Sequence, residues 1–187
     1  MDDFQFQSDE TYALKYYGSI YLPNECFKLI DNYLPYTFKD SNELKEAVLL
    51  WRKNKEEAIQ KYGSMKMWNV RKVTNFAYLF IGMSTFNEDI SSWNVSNAET
   101  MQQMFYCCLN FSGDLSSWDV SNVKNMDSMF CACHKFNCDL STWDVNNVQT
   151  MRQMFYCCST FSQDLSAWDN VICNKKGMFN GCKSLNN

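Results

Sequence analysis

Five tryptophans fall at one fixed interval of 25 residues: Trp68, Trp93, Trp118, Trp143 and Trp168. An interval this regular assigns every residue between two marks to a column. With each Trp as position 1, position 12 holds Leu79, Met104, Met129 and Met154, and position 13 holds Phe80, Phe105, Phe130 and Phe155. Position 16 holds Met83, Cys108, Cys133 and Cys158, and position 19 holds Phe86, Phe111, Phe136 and Phe161. Asp89, Asp114, Asp139 and Asp164 stand at position 22. Ile90, Leu115, Leu140 and Leu165 follow at position 23, and Ser91, Ser116, Ser141 and Ser166 at position 24. After Trp168 one residue is dropped, and Met178, Phe179, Cys182 and Leu185 resume the pattern one place early.

Burial gives the period its meaning. One unit cannot hide a Trp, two Phe, a Met and a Leu by itself, whereas stacked units bury each column against the same column of the next. Rungs about 4.8 Å apart put like residues into ladders. Each fully buried large apolar side chain contributes about 1.5–3 kcal/mol, set against the entropy of ordering so much loop. The expected fold is an α/β repeat solenoid over residues 68–187, of five coils, the last truncated and capping. Apolar residues at positions 6, 9, 12 and 13, as around Met126, have helical spacing, and Ser121-Asn122 before them reads as an N-cap. Positions 19–23 read as a short extended segment. One short strand and one short helix per coil is the expectation.

Ahead of the array, residues 41–62 read as one amphipathic helix with Leu44, Val48, Trp51, Ala58 and Ile59 on its apolar stripe and Lys53, Glu56 and Glu57 off it. Asp40 with Glu43 fits a capping box, and Gly63 fits the stop. A repeat array needs its first hydrophobic layer covered, and this helix is placed to do that. Residues 20–67 are therefore expected to form an α-helical cap region behind an N-terminal tail, residues 1–19. Leu22 to Pro35 offers a further short helix. There, Leu22-Pro23, Glu25, Ile30 and Leu34, followed by Val48 and Trp51, make a thin F-box-like pattern, and part of the cap is the plainer reading.

The phrase MF-x-x-C-x-x-F-x-x-DLS-x-WDVSNV-x-x-M resembles the BspA-type leucine-rich repeat over residues 68–187, and the LKEAV-x-x-W…YG segment resembles what precedes the first repeat in that family. The resemblance implies a leucine-rich-repeat-like solenoid used in adhesion or protein binding. It also implies membership of arrays found in bacterial surface proteins, in protists and in large DNA viruses.

Charge and composition narrow the function. The net charge is −4, and basic and acidic residues are spread along the chain, so no phosphate-binding stripe is expected. No apolar run reaches the length of a membrane span. The MDDFQFQSDE start reads as neither a signal peptide nor a lipoprotein leader. The ten cysteines are then expected as free thiols in a reducing compartment, the cytoplasm or the inside of a virus particle.

Few residues carry chemistry. Cys131-Ala132-Cys133-His134, with Cys138 nearby, hints at a metal site, but Cys133 belongs to the buried column and no second Cys/His pair stands at zinc-finger spacing. Cys108, Cys133 and Cys158 should stack at a distance a disulfide allows, with free thiols favoured. The four stacked aspartates must be exposed or hydrogen-bonded. Turn-capping is favoured over a calcium ladder because the glycine-rich loop of such ladders is missing. One histidine and six glycines supply neither a catalytic triad nor a phosphate cradle, so neither enzyme activity nor a cofactor is expected. A partner surface should use positions that vary between coils: Tyr106 and Tyr156 at position 14, with Gln102, Gln103, Lys124, Asp127, His134, Lys135, Arg152 and Gln153 also off the core. The expected function is a non-catalytic scaffold for protein–protein interaction or assembly. The alternatives are an F-box-like ubiquitin-ligase adaptor and a surface adhesin.

Overall fold

The chain divides into two compact units, Met1–Leu34 and Pro35–Asn187. The computed structural model describes residues 35–182, so the first unit, the expected tail and most of the Leu22–Pro35 segment lie outside the described residues.

The cap is built by its end residues. Asp40 is extended, and its carboxylate accepts the N–H groups of Asn42 and Glu43, both at 2.9 Å, which starts helix α1, Ser41–Lys53. Glu43 reaches back to the Lys39 N–H at 2.7 Å, one residue earlier than a standard capping box. The single helix expected over 41–62 is broken at Asn54. There the backbone is extended, and the Asn54 side chain accepts the Glu57 N–H and opens a new helix, α2, Lys55–Tyr62. The break resets the helical phase. Leu44, Val48, Trp51 and Ala58 are buried as expected, but Ile59 is exposed and Tyr62 takes its place inside. Gly63, at φ 72°, ends α2.

The repeats are made differently from the expectation. Among the described residues the α-helices are confined to the cap, and the coils contain single parallel bridges, turns and the 3₁₀ segment Ser166–Trp168. One bridge joins Thr37 of the cap to Asn69, and four more run in one column, Asn75 to Thr100 to Asn125 to Thr150 to Asn174. From there to position 16 the N–H groups alternate between two destinations. In the central coil Met126, Ser128, Phe130 and Ala132 donate to Thr150, Arg152, Met154 and Tyr156 of the next coil, at 2.7–2.9 Å. Met129, Cys131 and Cys133 donate three residues back within their own coil.

This alternation replaces both the expected helix and the expected strand. It needs left-handed backbone at positions 11 and 15, and Gln103, Ser128 and Gln153, then Cys107, Ala132 and Cys157, supply it at φ 52–60°. Side chains at positions 9, 12, 13 and 16 still all point inward, which is why the sequence imitates a helix. Ser121 and Asn122 cap no helix. Instead Asn122 Nδ2 donates to Ser96 O of the coil before, as Asn97 and Asn147 do to Arg71 O and Ser121 O.

Two aromatic columns form the centre. Phe80, Phe105, Phe130 and Phe155 stack at 5.4–5.7 Å between ring centres. Each also lies 4.0–4.2 Å from the position-19 Phe of its own coil. The indoles of Trp93, Trp118 and Trp143 repeat one hydrogen bond, to Met65 O, Ile90 O and Leu115 O. At the cap, Trp68 stacks on Trp93 and meets Trp51 edge-on at 5.7 Å, so α1 covers the first layer.

Candidate binding face

Positions 10, 11 and 14 of the turn ladder carry unlike residues on successive coils: Tyr78, Ile81, Arg152, Gln153 and Tyr156 are exposed there, whereas Ala77, Asp127, Ser128 and Cys131 are buried. Tyr156 and Gln153 are exposed, while Tyr106 and Gln103 are half-buried in the same two columns. Arg152 is exposed along its side chain, but its guanidinium is committed. Nε and Nη2 clasp the Asp127 carboxylate at 2.9 and 2.6 Å, and the Arg152 N–H and the Thr150 hydroxyl complete the cluster. Asp127, expected on the surface, is thus a buried carboxylate at 5% exposure. Burial alone would raise its pKa, but the bonds from Arg152 and Thr150 outweigh that and hold it below the usual carboxylate range.

The ten candidate residues do not form one patch. Gln103, Tyr106, Arg152, Gln153 and Tyr156 share the turn-ladder strip. Lys124 instead lines a polar groove with Lys72, Asn97 and Glu99. Lys135 lines another with Asp114 and Asn137, and His134 is exposed beside it in sequence, its carbonyl accepting the Thr160 hydroxyl. Tyr78 and Ile81, exposed at 45% and 37%, extend the strip on the first coil. The signal for them was already available, because they occupy columns 11 and 14.

Phenol and thiols are neighbours along this strip. The Tyr106 hydroxyl is held above its ordinary value by the Cys131 and Cys107 thiols beside it and by partial burial. Cys131 is pushed up to about 11 by burial.

The other Cys column is interior. Cys108, Cys133, Cys158 and Cys182 each donate a thiol hydrogen bond to the position-13 Phe carbonyl of the coil before, at 2.8–3.1 Å. Desolvation raises Cys108 to about 12 and Cys133 and Cys158 further still. Thiols so placed are packing groups with an acceptor already supplied. All nine cysteines among the described residues are free.

Each column aspartate closes its own turn. Asp89 and Asp114 accept both the N–H and the hydroxyl of the serine two residues on, and Asp139 and Asp164 accept the N–H. Asn94, Asp119 and Asp144 repeat the device at position 2. Among the described residues no group of three His, Cys, Asp or Glu side chains is placed to hold a metal ion. Of the F-box-like pattern, Leu22, Pro23, Glu25, Ile30 and Leu34 lie outside the described residues, while Val48 and Trp51 are buried in the cap.

The family described as "Mycoplasma protein of unknown function, DUF285" matches residues 34–130 and again residues 100–187. The chain belongs to that family. The two matches together span residues 34–187, which include α1, α2 and every coil. No curated protein and no solved structure matches the chain. Among the described residues no helix is long and apolar enough to cross a membrane.

Proposed function

We propose that this chain is a BspA-type, leucine-rich-repeat-like solenoid that works as a non-catalytic scaffold, binding another protein through the lateral strip of positions 10, 11 and 14. The observation that carries the reading is the division of labour along the repeat. The recurring columns are spent on packing and turn closure, and tyrosines, glutamines and Arg152 occupy the exposed or half-buried places in the columns that vary. A rigid ladder with aromatic groups at fixed intervals suits recognition better than chemistry, since tyrosine offers large contact area with little rotamer freedom to lose. The thiol donors of the interior Cys column support a reducing setting, inside a cell or a virus particle.

The test is affinity capture with the full chain and with a Tyr78→Ser, Tyr106→Ser, Tyr156→Ser variant of matching circular dichroism. A partner held by the first and lost by the second supports the strip. A partner retained equally by both places the binding elsewhere and refutes it.

A further inference from the structure

Two thiols of neighbouring coils meet beside the strip, outside the interior column. Cys107 stands at position 15 of one coil and Cys131 at position 14 of the next. The Cys107 N–H donates to Cys131 O at 2.8 Å, so the two backbones are paired rungs, about 4.8 Å apart. A disulfide needs Cα atoms about 4.4–6.8 Å apart. The direction of the Cys107 sulfur follows from its counterpart two coils on. Cys157 has the same left-handed backbone, φ 57° against 59°, and a Cβ at Gly181 in the following coil would stand 2.9 Å from its Sγ. Sulfurs at position 15 therefore lean over the next coil, and for Cys107 that coil carries Cys131. The Cys131 thiol is pushed up to about 11 by burial first, then by Cys107 and last by Cys157, the order that this lean requires.

The competing pairings are poorer. Cys108, Cys133, Cys158 and Cys182 spend their S–H groups on buried carbonyls, and cross-linking any two of them would strand those acceptors in the core. Cys157 leans away from Cys131. Cys107 is half-buried and can be met from solvent, whereas Cys131 is 6% exposed and has the Tyr106 phenol beside it. One thiol is open to a small reagent, and its neighbour is sheltered.

We infer that Cys107 and Cys131 are a redox-active dithiol that reacts with a low-molecular-weight disulfide, R–S–S–R, and closes a cross-link between two coils. The Cys107 thiolate attacks one sulfur of the reagent. The S–S bond breaks, and one R–S⁻ departs and takes up a proton. The Cys131 thiol then gives its proton to water, and its sulfur attacks Cys107 Sγ and expels the second R–S⁻, which is protonated in turn. Both protein thiols are oxidised, and the reagent is reduced to two R–SH. In a reducing setting the pair rests as two thiols, as found, and the bridge is transient. The pair borders Tyr106 but stands whether or not the strip binds a protein.

The experiment incubates the full native chain with oxidised glutathione, blocks the remaining thiols and maps tryptic peptides by mass spectrometry without reduction. Peptides 73–124 and 125–135 should be joined, and their fragment ions should place the bridge on Cys107 and Cys131. That assignment needs no variant, so it holds even where a substitution disturbs folding. Cys107→Ser and Cys131→Ser should each abolish the link, and Cys157→Ser should leave it. In Cys131→Ser the reaction should halt with glutathione on Cys107. In Cys107→Ser, glutathione should reach Cys131 at least about tenfold more slowly than that. A bridge through Cys108, Cys133 or Cys157 overturns the inference. So does a glutathione adduct that persists on Cys107 in the unmutated chain, a pair of copies joined through Cys107, or no reaction at either thiol.

Discussion

Replacing Phe130 by alanine tests the ladder at its centre. The ring is fully buried and has four aromatic neighbours: Phe136 at 4.0 Å, Phe105 at 5.5 Å, Phe155 at 5.7 Å and Trp143 at 6.4 Å. Truncating a buried Phe costs about 3–5 kcal/mol through lost transfer energy and the cavity left behind. Neighbours above and below cannot collapse into that cavity without breaking their own backbone ladders. Aromatic pairs add about 0.5–1.5 kcal/mol each beyond area, so the upper end, about 4–5 kcal/mol, is expected. Tyr156→Ala, at a ring already 37% exposed, should cost about 1 kcal/mol or less, and Tyr106→Ala far less than Phe130→Ala. The assay is urea unfolding followed by tryptophan fluorescence. With a slope of about 2 kcal/mol per molar urea, the Phe130→Ala midpoint should fall by about 2 M. A fall in slope as well would mean that the array splits at the damaged rung. Equal losses at Phe130 and Tyr156, or a loss below about 1 kcal/mol at Phe130, would refute the assignment of inner and outer columns.

Three further outcomes are expected. Arg152→Ala strands the Asp127 carboxylate in a buried site and should cost about 1–3 kcal/mol; Asp127→Ala on that background should restore part of it, which a double-mutant cycle reads directly. Acid should unfold the array: Asp89 is held at about 2 by Lys66 and Ser91, and Asp114, Asp119 and Asp127 are also depressed. Groups depressed in the folded state contribute fully above the ordinary carboxylate range and lose that contribution as pH falls, so the melting temperature should be level above about pH 5 and drop between about pH 4 and pH 2. Brief alkylation of the native protein, read by peptide mass spectrometry, should label Cys107 and Cys157 while sparing Cys108, Cys133 and Cys158; prompt labelling of Cys133 would contradict its burial.

The columns were legible because burial is periodic whatever the backbone does. Trp118, Phe130 and Cys133 could be assigned inward from spacing alone. The local conformation was not legible for the same reason: positions 9, 12, 13 and 16 satisfy a helical stripe and the observed turn ladder equally. What separates the two is left-handed backbone at Gln103, Ser128 and Ala132, and these residue types do not announce it. Only Gly82, Gly177 and Gly181, in the first and last coils, mark those columns with the residue that adopts such φ freely. The break at Asn54 was missed because Leu44 to Trp51 and Ala58 to Tyr62 each keep a helical pattern, and only the phase between them changes. Asp127 was misplaced because its partner, Arg152, lies one whole coil away.

Non-glycine residues in the left-handed region cost on the order of 1 kcal/mol each, and an isolated coil would not hold two of them. Each is kept here by an N–H bond to the next coil: Ser128 to Arg152 O and Ala132 to Tyr156 O. Such bonds are worth about 0.5–1.5 kcal/mol net, and they form only once the neighbour is in place. A coil therefore lacks the means to take its own shape first and stack afterwards; conformation and stacking arise together, rung on rung. The cap follows from this, since the first Trp layer needs Trp51 and Tyr62 against it before any rung is complete.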